Sequence, residues 1–500
     1  MTAAAEKQTS LFGELARILR HSSVYGLGSV SRKLIGFLMV PVYTRFLDPA
    51  AYGIVELLDL TLSIGGLVLY DLIIEALFRF YYLDEDPVRR RNLVSTALWT
   101  HVGLSVAAVG LTELFAGPVS RAVLGSTKYA PYLHVSLLTF VFMQINAIPL
   151  GYLRVRQRST IYAAASLTSL VVGLTLNIVF IVIMHMGVWG VLYSNLAANA
   201  LMAAWLLPMT ARDVGFHWKP GAVTQMFRYG GPLIPAGIGN FSLNYSNRLF
   251  LNMYTALADV GLYALGAKFS FMMSVLIIQP FLNIWDAKMF EIADRSDAGT
   301  IYARVCTYSV FVTLFAALGL SLLIPDVLTW MVPPSFYPAA GIVPILSLGY
   351  VFQLLYYNFY VGLLIRNKTG KLAAVMVTCA VIGLALNRYL IQPFGLHGAA
   401  WSMCLSYVVL AGLCYAAAQA THRIPYEWSR LGKMAAIAAI LFFVGRSIHG
   451  PAPWVGPACR IAALVLFPAF LFAIRFFQSD EIELLRSRLG RFGVRVPGGA

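Results

Sequence analysis

The chain has 500 residues, of which 59% are hydrophobic and only 12% are charged, and its mean hydropathy is +0.73. Soluble domains are about 25% charged, so this composition excludes an ordinary soluble protein and indicates a membrane protein. The net charge of +15 does not indicate a nucleic-acid partner. Most Lys and Arg residues fall in alternate loops and in the tails, which is the positive-inside pattern, and we expect them to contact membrane lipids.

Apolar runs long enough to span a bilayer as a helix recur along the chain. We therefore predict an all-α integral membrane protein with about 14 transmembrane helices. The predicted centres lie roughly at residues 33, 66, 104, 142, 172, 199, 241, 272, 313, 350, 381, 406, 440 and 466.

The first predicted helix carries two adjacent cations, Arg32 and Lys33, about halfway along its length. The helix end is about 15 Å away, beyond the reach of a snorkelling side chain. A charge at the bilayer centre costs roughly 3 kcal/mol, so both side chains must face protein or a water-filled cavity. Because Gly28 and Gly36 share the face of Arg32 at a spacing of four, we expect this face to point inward.

The second predicted helix carries a single polar stripe. Glu56, Asp59, Ser63, Gly66 and Tyr70 follow the i, i+3, i+7, i+10, i+14 pattern that places them on one face. Two carboxylates within this stripe are expected to lie near the cations of other helices, because lipid would not accept them.

The polar segments between the helices are interpreted as structural. Asp86 and Pro87 are typical of a helix N-cap followed by proline at the first helical position, rather than of a metal–nucleotide site. The segment from Ala211 to Gly230 is predicted to be a linker that contains a short interfacial helix.

The seventh and eighth predicted helices carry further buried polar residues. Asn240, Asn244 and Arg248 are spaced by four, Asn247 lies beside them, and Lys268 follows on the next helix. Deep cations favour an anionic ligand, and asparagines suit phosphate or hydroxyl oxygens. Two alternatives stay open: the charges only pair with each other across helices, and the asparagines only pack helices together.

The chain shows an internal duplication. The segment around Gly53 resembles that around Gly261 (261 − 53 = 208), and Gly187 resembles Gly395 at the same offset (395 − 187 = 208). This offset spans six predicted helices, so the halves would insert in parallel, with a substrate site between them. The last two helices lie outside the duplication.

The predicted organisation follows from this repeat. An even number of helices places both termini on the same side, and the positive-inside pattern predicts that this side is cytoplasmic. The segments are an N-terminal six-helix lobe over 1–210, a cytoplasmic linker over 211–228, a C-terminal six-helix lobe over 229–420, two additional helices over 421–478 and a cytoplasmic tail over 479–500. No phosphate-binding loop or metal-ligand spacing occurs, so we expect neither a cofactor nor a metal.

Three segments of the sequence resemble signatures of one family. They are "LIGFLMVPVYTRFLDPAAYGIVEL", the stretch from Arg228 to Ser270 and "ALNRYLIQPFGLHGAAWS". They resemble the polysaccharide-type transporters, or lipid-linked oligosaccharide flippases, of the multidrug/oligosaccharidyl-lipid/polysaccharide exporter superfamily. Lys268 and Arg79 match positions that are often basic in that family, whereas Asn247 stands where it often has aspartate.

The resemblance implies two six-helix lobes around a central cavity, and it implies flipping of a polyprenyl-diphosphate-linked oligosaccharide across the cytoplasmic membrane. Polysaccharide polymerase and chain-length proteins are possible partners, and no enzymatic activity is expected. The expected substrate-binding residues are Arg32, Lys33, Arg248, Lys268, Asn240, Asn244 and Arg79. Glu56 and Asp59 are expected either to bind a coupling ion or only to tune the cations. A multidrug exporter and a membrane enzyme of glycan assembly are the alternative functions.

Overall fold

The computed structural model describes residues 36–447, 455–474 and 476, and all regular secondary structure within them is helical. Ten of these helices are long and apolar enough to cross a membrane, or eleven if the bent pair Pro334–Gly341 and Val343–Leu364 forms one span. The predicted all-α, multi-pass membrane class is therefore confirmed. Every predicted centre except the first falls within a described helix, and the exact number of fourteen spans stays a prediction.

The helices follow one another with short connections. The first eight are α1 (Val40–Phe46), α2 (Pro49–Leu83), α3 (Pro87–Leu114), α4 (Ala116–Leu124), α5 (Ala130–Val155), α6 (Ser159–Asn177), α7 (Val188–Val214) and α8 (Pro220–Gly230). The remaining ones are α9 (Ile234–Tyr254), α10 (Leu257–Met273), α11 (Gln279–Glu291), α12 (Ala298–Met331), α13 (Val343–Phe359), α14 (Val361–Leu364), α15 (Thr369–Gln419), α16 (Trp428–Ser447) and α17 (Val455–Ala473). A π-helical turn, Ile178–Ile183, continues α6, and another, Ser274–Ile278, joins α10 to α11.

Two of the long helices begin in the same way, with an aspartate N-cap followed by proline. The Asp48 carboxylate accepts a hydrogen bond from the backbone N–H of Ala51 at 2.7 Å. The Asp86 carboxylate accepts one from Val88 at 2.9 Å, which confirms the predicted N-cap. In both cases the cap satisfies a backbone donor that the first turn leaves free, and proline has no donor to satisfy.

One compact unit comprises the described residues up to Phe269 together with residues 331–342 and 373–406. A hydrophobic core within it joins α2, α3, α5, the end of α7 and α8. Its fully buried members are Ile73, Ala76, Leu77, Val94, Ala97, Leu98, Ile148, Val214 and Met226. The short helix predicted in the linker is therefore present as α8, and Met226 attaches it to the core.

The linker before α8 is also attached to α3 by hydrogen bonds. The Ser95 hydroxyl donates to the carbonyl oxygen of Gly215 and accepts from the backbone N–H of His217, both at 2.8 Å. The Trp218 indole N–H donates to the Thr100 hydroxyl at 3.0 Å. Since these bonds use backbone groups that a loop would otherwise leave to water, they fix the path of the chain between α7 and α8.

The second unit comprises residues 270–330, 343–372 and the described residues from Tyr407 onward. Glycines allow close helix packing in it: a methyl group at Gly445 would lie 2.8 Å from the Leu322 side chain. Arg460 on α17 contacts both carboxylate oxygens of Asp326 on α12 at 2.7 Å. The two C-terminal helices are thus attached to α12 by small-residue packing and by an ion pair.

Two glycines at the predicted repeat offset share one backbone conformation. Gly187 has φ 57° and ψ −131°, and Gly395 has φ 51° and ψ −125°. Gly187 precedes α7, and Gly395 interrupts α15 at the corresponding place. Glycine adopts this positive-φ conformation without steric strain. The match supports the duplication, although the parallel-repeat arrangement and the predicted lobe boundaries stay predictions.

Candidate functional site

Two glycines bring α2 and α10 into direct backbone contact. A methyl group at Gly53 would overlap the carbonyl oxygen of Leu257, and one at Gly261 would overlap that of Pro49. The backbone nitrogen of each glycine lies only 3.0 Å from the position that the other's Cβ would take. Gly53 and Gly261 are the pair that the sequence duplication aligns. Their contact brings the polar faces of the two helices close together.

An ion pair joins α2 to α9 within this unit. The Nε of Arg248 lies 2.8 Å from Oε1 of Glu56, and their side chains are only 9% and 19% exposed. The Arg248 guanidinium also lies over the rings of Tyr245 and Tyr263, at 5.3 and 5.4 Å from their centres. Its Nη1 donates to the backbone carbonyl of Asn244 at 3.3 Å. These contacts hold a nearly buried cation in a defined orientation.

A second cation lies on α10. Lys268 Nζ donates to the Tyr52 hydroxyl on α2 at 2.8 Å. Asp59 lies close enough to interact electrostatically with both Glu56 and Lys268. The structure thus brings together four of the predicted site residues. We call Glu56, Asp59, Arg248 and Lys268 the charged cluster.

Hydrogen bonds between helices fix the position of α9. The Asn247 amide donates to the Tyr263 hydroxyl at 2.8 Å. The Asn387 amide donates to the Ser246 hydroxyl at 2.8 Å and accepts from the Ser402 hydroxyl at 2.6 Å. Asn247, the residue that departs from the family pattern, therefore takes part in helix packing, and its amide donor makes a bond that a carboxylate could not make.

The other predicted site residues are placed differently. Arg32 and Lys33 lie outside the described residues, as does the side chain of Asn240. Arg79 lies 23 residues (79 − 56) beyond Glu56 on the same helix, or about 35 Å away, and its guanidinium lies 4.8 Å from the centre of the Tyr229 ring. Arg79 is therefore not part of the charged cluster.

The charged cluster contains two acids and two bases, so its described members balance one another. Cross-helix pairing, which was left open as an alternative, accounts for the contact between Glu56 and Arg248. Sequence reasoning missed the tyrosines that hold the cations, Tyr52 and Tyr263. The spacing of four between Tyr52 and Glu56 was a usable signal, because it places the phenol on the same face as the carboxylate.

Comparison with known proteins identifies similar sequences. Residues 42–332 match the family described as polysaccharide biosynthesis protein. The Lsg locus putative protein 1 of Haemophilus influenzae is 20% identical over 392 residues, which cover 76% of this chain and 94% of that protein. The probable low-salt glycan biosynthesis flippase Agl15 of Haloferax volcanii is 22% identical over 250 residues, covering 48% and 51% of the two chains.

Solved structures share the fold. The lipid II flippase MurJ in an inward closed conformation matches with a TM-score of 0.74 at 12% identity, over 91% of this chain and 99% of that chain. An inward-facing multidrug resistance MATE family transporter of the MOP superfamily matches with a TM-score of 0.62 at 14% identity, over 78% and 94% of the chains. These likenesses establish a transporter fold common to flippases and drug exporters.

Proposed function

Because the chain belongs to the polysaccharide biosynthesis protein family, we propose that it flips a polyprenyl-diphosphate-linked oligosaccharide across the cytoplasmic membrane. Two relatives by sequence or fold, Agl15 and MurJ, carry the name flippase. The observation that carries the proposal is the charged cluster. Buried charges between apolar helices are costly, and an anionic lipid headgroup that must cross the membrane gives them a function.

In this proposal the cations bind the diphosphate. Arg248 and Lys268 act together with Arg32 and Lys33, and the diphosphate displaces Glu56 from Arg248 when it enters. A guanidinium can bind phosphate oxygens in the same forked geometry in which it binds a carboxylate. Asn240 and Asn244 contact substrate oxygens nearby.

Two further groups of residues have separate roles. Arg79, about 35 Å from Glu56 along α2, contacts the substrate at the other end of the helix. Glu56 and Asp59 become free of their cations when the diphosphate binds. One alternative is that they then bind a coupling proton or sodium ion. The other is that they only pair with the cations again once the substrate has left.

The transport step is alternating access, in which no covalent bond is made or broken, so the protein acts as a transporter and not as an enzyme. Both termini lie in the cytoplasm of a cell whose inner membrane holds the protein. The flipped oligosaccharide then serves export of a cell-surface polysaccharide, such as a lipopolysaccharide or an exopolysaccharide. Polymerase and chain-length proteins are the partners that would use it.

The test is flipping of a lipid-linked oligosaccharide by the purified protein in vesicles. Replacing Arg32, Lys33, Arg248 and Lys268 together by glutamine is expected to abolish flipping. The control is Arg388→Gln, which removes an exposed cation from an apolar helix, where Arg388 lies over Tyr254. Wild-type flipping by the fourfold variant would overturn the assignment of the site.

A multidrug exporter is the second candidate, and the two acids of the charged cluster are the observation that favours it. Carboxylates in a transport site favour cationic substrates. The fold match to a MATE transporter is compatible with both functions. Cells that lose this protein would then become sensitive to cationic drugs and keep their surface polysaccharide. The flippase proposal predicts the opposite pair of results.

A further inference from the structure

A cavity of about 600 Å³ lies inside the bundle of α2, α5, α6 and α7. Its volume is within the range of small-molecule binding sites. Hydroxyl and amide side chains line much of it, and none of the described residues around it is acidic. We call it the amide cavity; it is lined by one cation, Arg154, and by amide and hydroxyl side chains, which are Ser63, Gln144, Asn146, Tyr162, Ser166, Ser169 and Asn199.

One polar atom in the wall of the amide cavity has no protein partner. Asn146 is only 4% exposed, and its Nδ2 donates to the carbonyl oxygen of Asn199 at 3.0 Å. Its Oδ1 accepts no hydrogen bond from any described residue. A buried amide oxygen without a donor is costly, so the wall of the amide cavity contains an acceptor that no described residue uses.

The amide of Gln144 is held in place by a residue that does not line the cavity. Nε2 of His101, which is fully buried, lies 3.3 Å from Oε1 of Gln144. This contact directs the NH₂ group of Gln144 toward Gly66, where a methyl group would lie 3.3 Å from it. The glycine therefore leaves room beside a donor of fixed orientation, as a binding site requires.

The amide cavity lies on the same face of α2 as the charged cluster. Ser63 follows Glu56 by seven residues (63 − 56), or two turns and about 10 Å, and Gly66 continues the face. A headgroup bound at the charged cluster would therefore have its next chemical group within reach of the amide cavity. This spacing connects two sites of different chemistry, the charged cluster and a cavity lined mainly by amides and hydroxyls.

We propose that the amide cavity binds the sugar units attached to the diphosphate. Amides and hydroxyls both donate and accept hydrogen bonds, which matches the hydroxyl groups of a sugar. The absence of acids among the described lining residues disfavours a cation, and apolar side chains such as Phe78 and Met143 offer surfaces for the C–H faces of the ring. The inference rests on the proposed function, since the sugar is recognised as part of that lipid.

The experiment compares two neighbouring residues of α6. Ser169 lines the amide cavity, whereas Thr168 is exposed and does not line it. The purified protein is tested for binding of two probes, polyprenyl diphosphate alone and polyprenyl diphosphate carrying a disaccharide. Ser169→Phe fills the cavity with an aromatic ring, and Thr168→Phe places the same ring elsewhere on the helix.

We expect the wild-type protein and the Thr168→Phe variant to bind the sugar-bearing lipid about tenfold more tightly than the bare diphosphate. Ser169→Phe is expected to lose this preference and still bind the bare diphosphate. Should that variant fail to fold, Ser169→Ala removes only the hydroxyl and is expected to lower the preference about threefold.

The outcomes separate the two proposals. If the wild-type protein binds neither lipid, the proposed function fails. If it binds both lipids equally, or if Ser169→Phe keeps the preference for the sugar, the diphosphate site stands and the sugar-binding role of the amide cavity is overturned.

Discussion

Two ion pairs of similar length illustrate two different uses of buried charge. Arg248 and Glu56 lie 2.8 Å apart, and Arg460 and Asp326 lie 2.7 Å apart. In the second pair one guanidinium nitrogen contacts both oxygens of the carboxylate, so the acid is fully used. In the first pair Nε of Arg248 contacts Oε1 of Glu56, and Asp59 and Lys268 lie nearby.

The surroundings of each pair determine whether it can exchange partners. A pair with a second acid and a second base beside it can rearrange at a modest cost, because each charge finds another partner. A pair that holds two helices together loses stability when it opens and gains no alternative contact. We therefore expect the Arg248–Glu56 pair to serve transport and the Arg460–Asp326 pair to serve stability.

The largest expected effect is on transport after loss of Arg248. Arg248→Gln leaves Glu56 without its closest cation and removes a phosphate ligand. Removing one partner of a buried pair lowers the free energy of unfolding by about 3–5 kcal/mol. Loss of the charged phosphate ligand is expected, separately, to lower flipping per folded molecule in vesicles about 100-fold.

The double variant Glu56→Gln with Arg248→Gln separates stability from transport. It removes both charges, so the melting temperature is expected to return toward the wild-type value while flipping stays abolished. Recovery of flipping in the double variant would show that the pair is only structural. It would contradict the proposed difference in role between this pair and the Arg460–Asp326 pair.

An intermediate effect is expected at the glycine contact beside the charged cluster. Gly261→Ala places a methyl group against the carbonyl oxygen of Pro49, so α2 and α10 must separate. We expect flipping to fall about tenfold, because shifting the helices misplaces Lys268 relative to Tyr52. Gly103→Ala is the matched control, since no atom lies within 4 Å of the added methyl group. Equal activity of the two variants would contradict the functional importance of the close contact.

The smallest effect on transport is expected at the second ion pair. Asp326→Asn keeps the shape of the side chain and removes its charge, which is expected to lower the free energy of unfolding by about 1–2 kcal/mol. A thermal melt in detergent would detect this change. Flipping per folded molecule should equal that of the wild type; a loss similar to that of Arg248→Gln would mean that the two pairs do not differ in role.

Much of the fold could be predicted from the sequence, because its signals are local. The length of an apolar run determines whether a helix can span a membrane, and the Asp86–Pro87 pair is sufficient to start α3. The sequence also predicted Glu56, Asp59, Arg248 and Lys268 as site residues, because charged side chains in apolar helices cannot face lipid without a large cost. The two glycine pairs, each separated by 208 residues, could also be predicted from the sequence, because each glycine lies in a short motif that resembles one in the other half.

Which of these residues contact one another depends on tertiary packing. No local signal shows that Gly53 packs against Gly261, that Glu56 contacts Arg248 rather than Lys268, or that Asn146 lines a cavity. Arg79, which shares the helix of Glu56, lies too far along it to join the same site. Helical periodicity determines the face of a residue, whereas the partner across that face depends on how distant segments pack, and packing is a property of the whole folded chain.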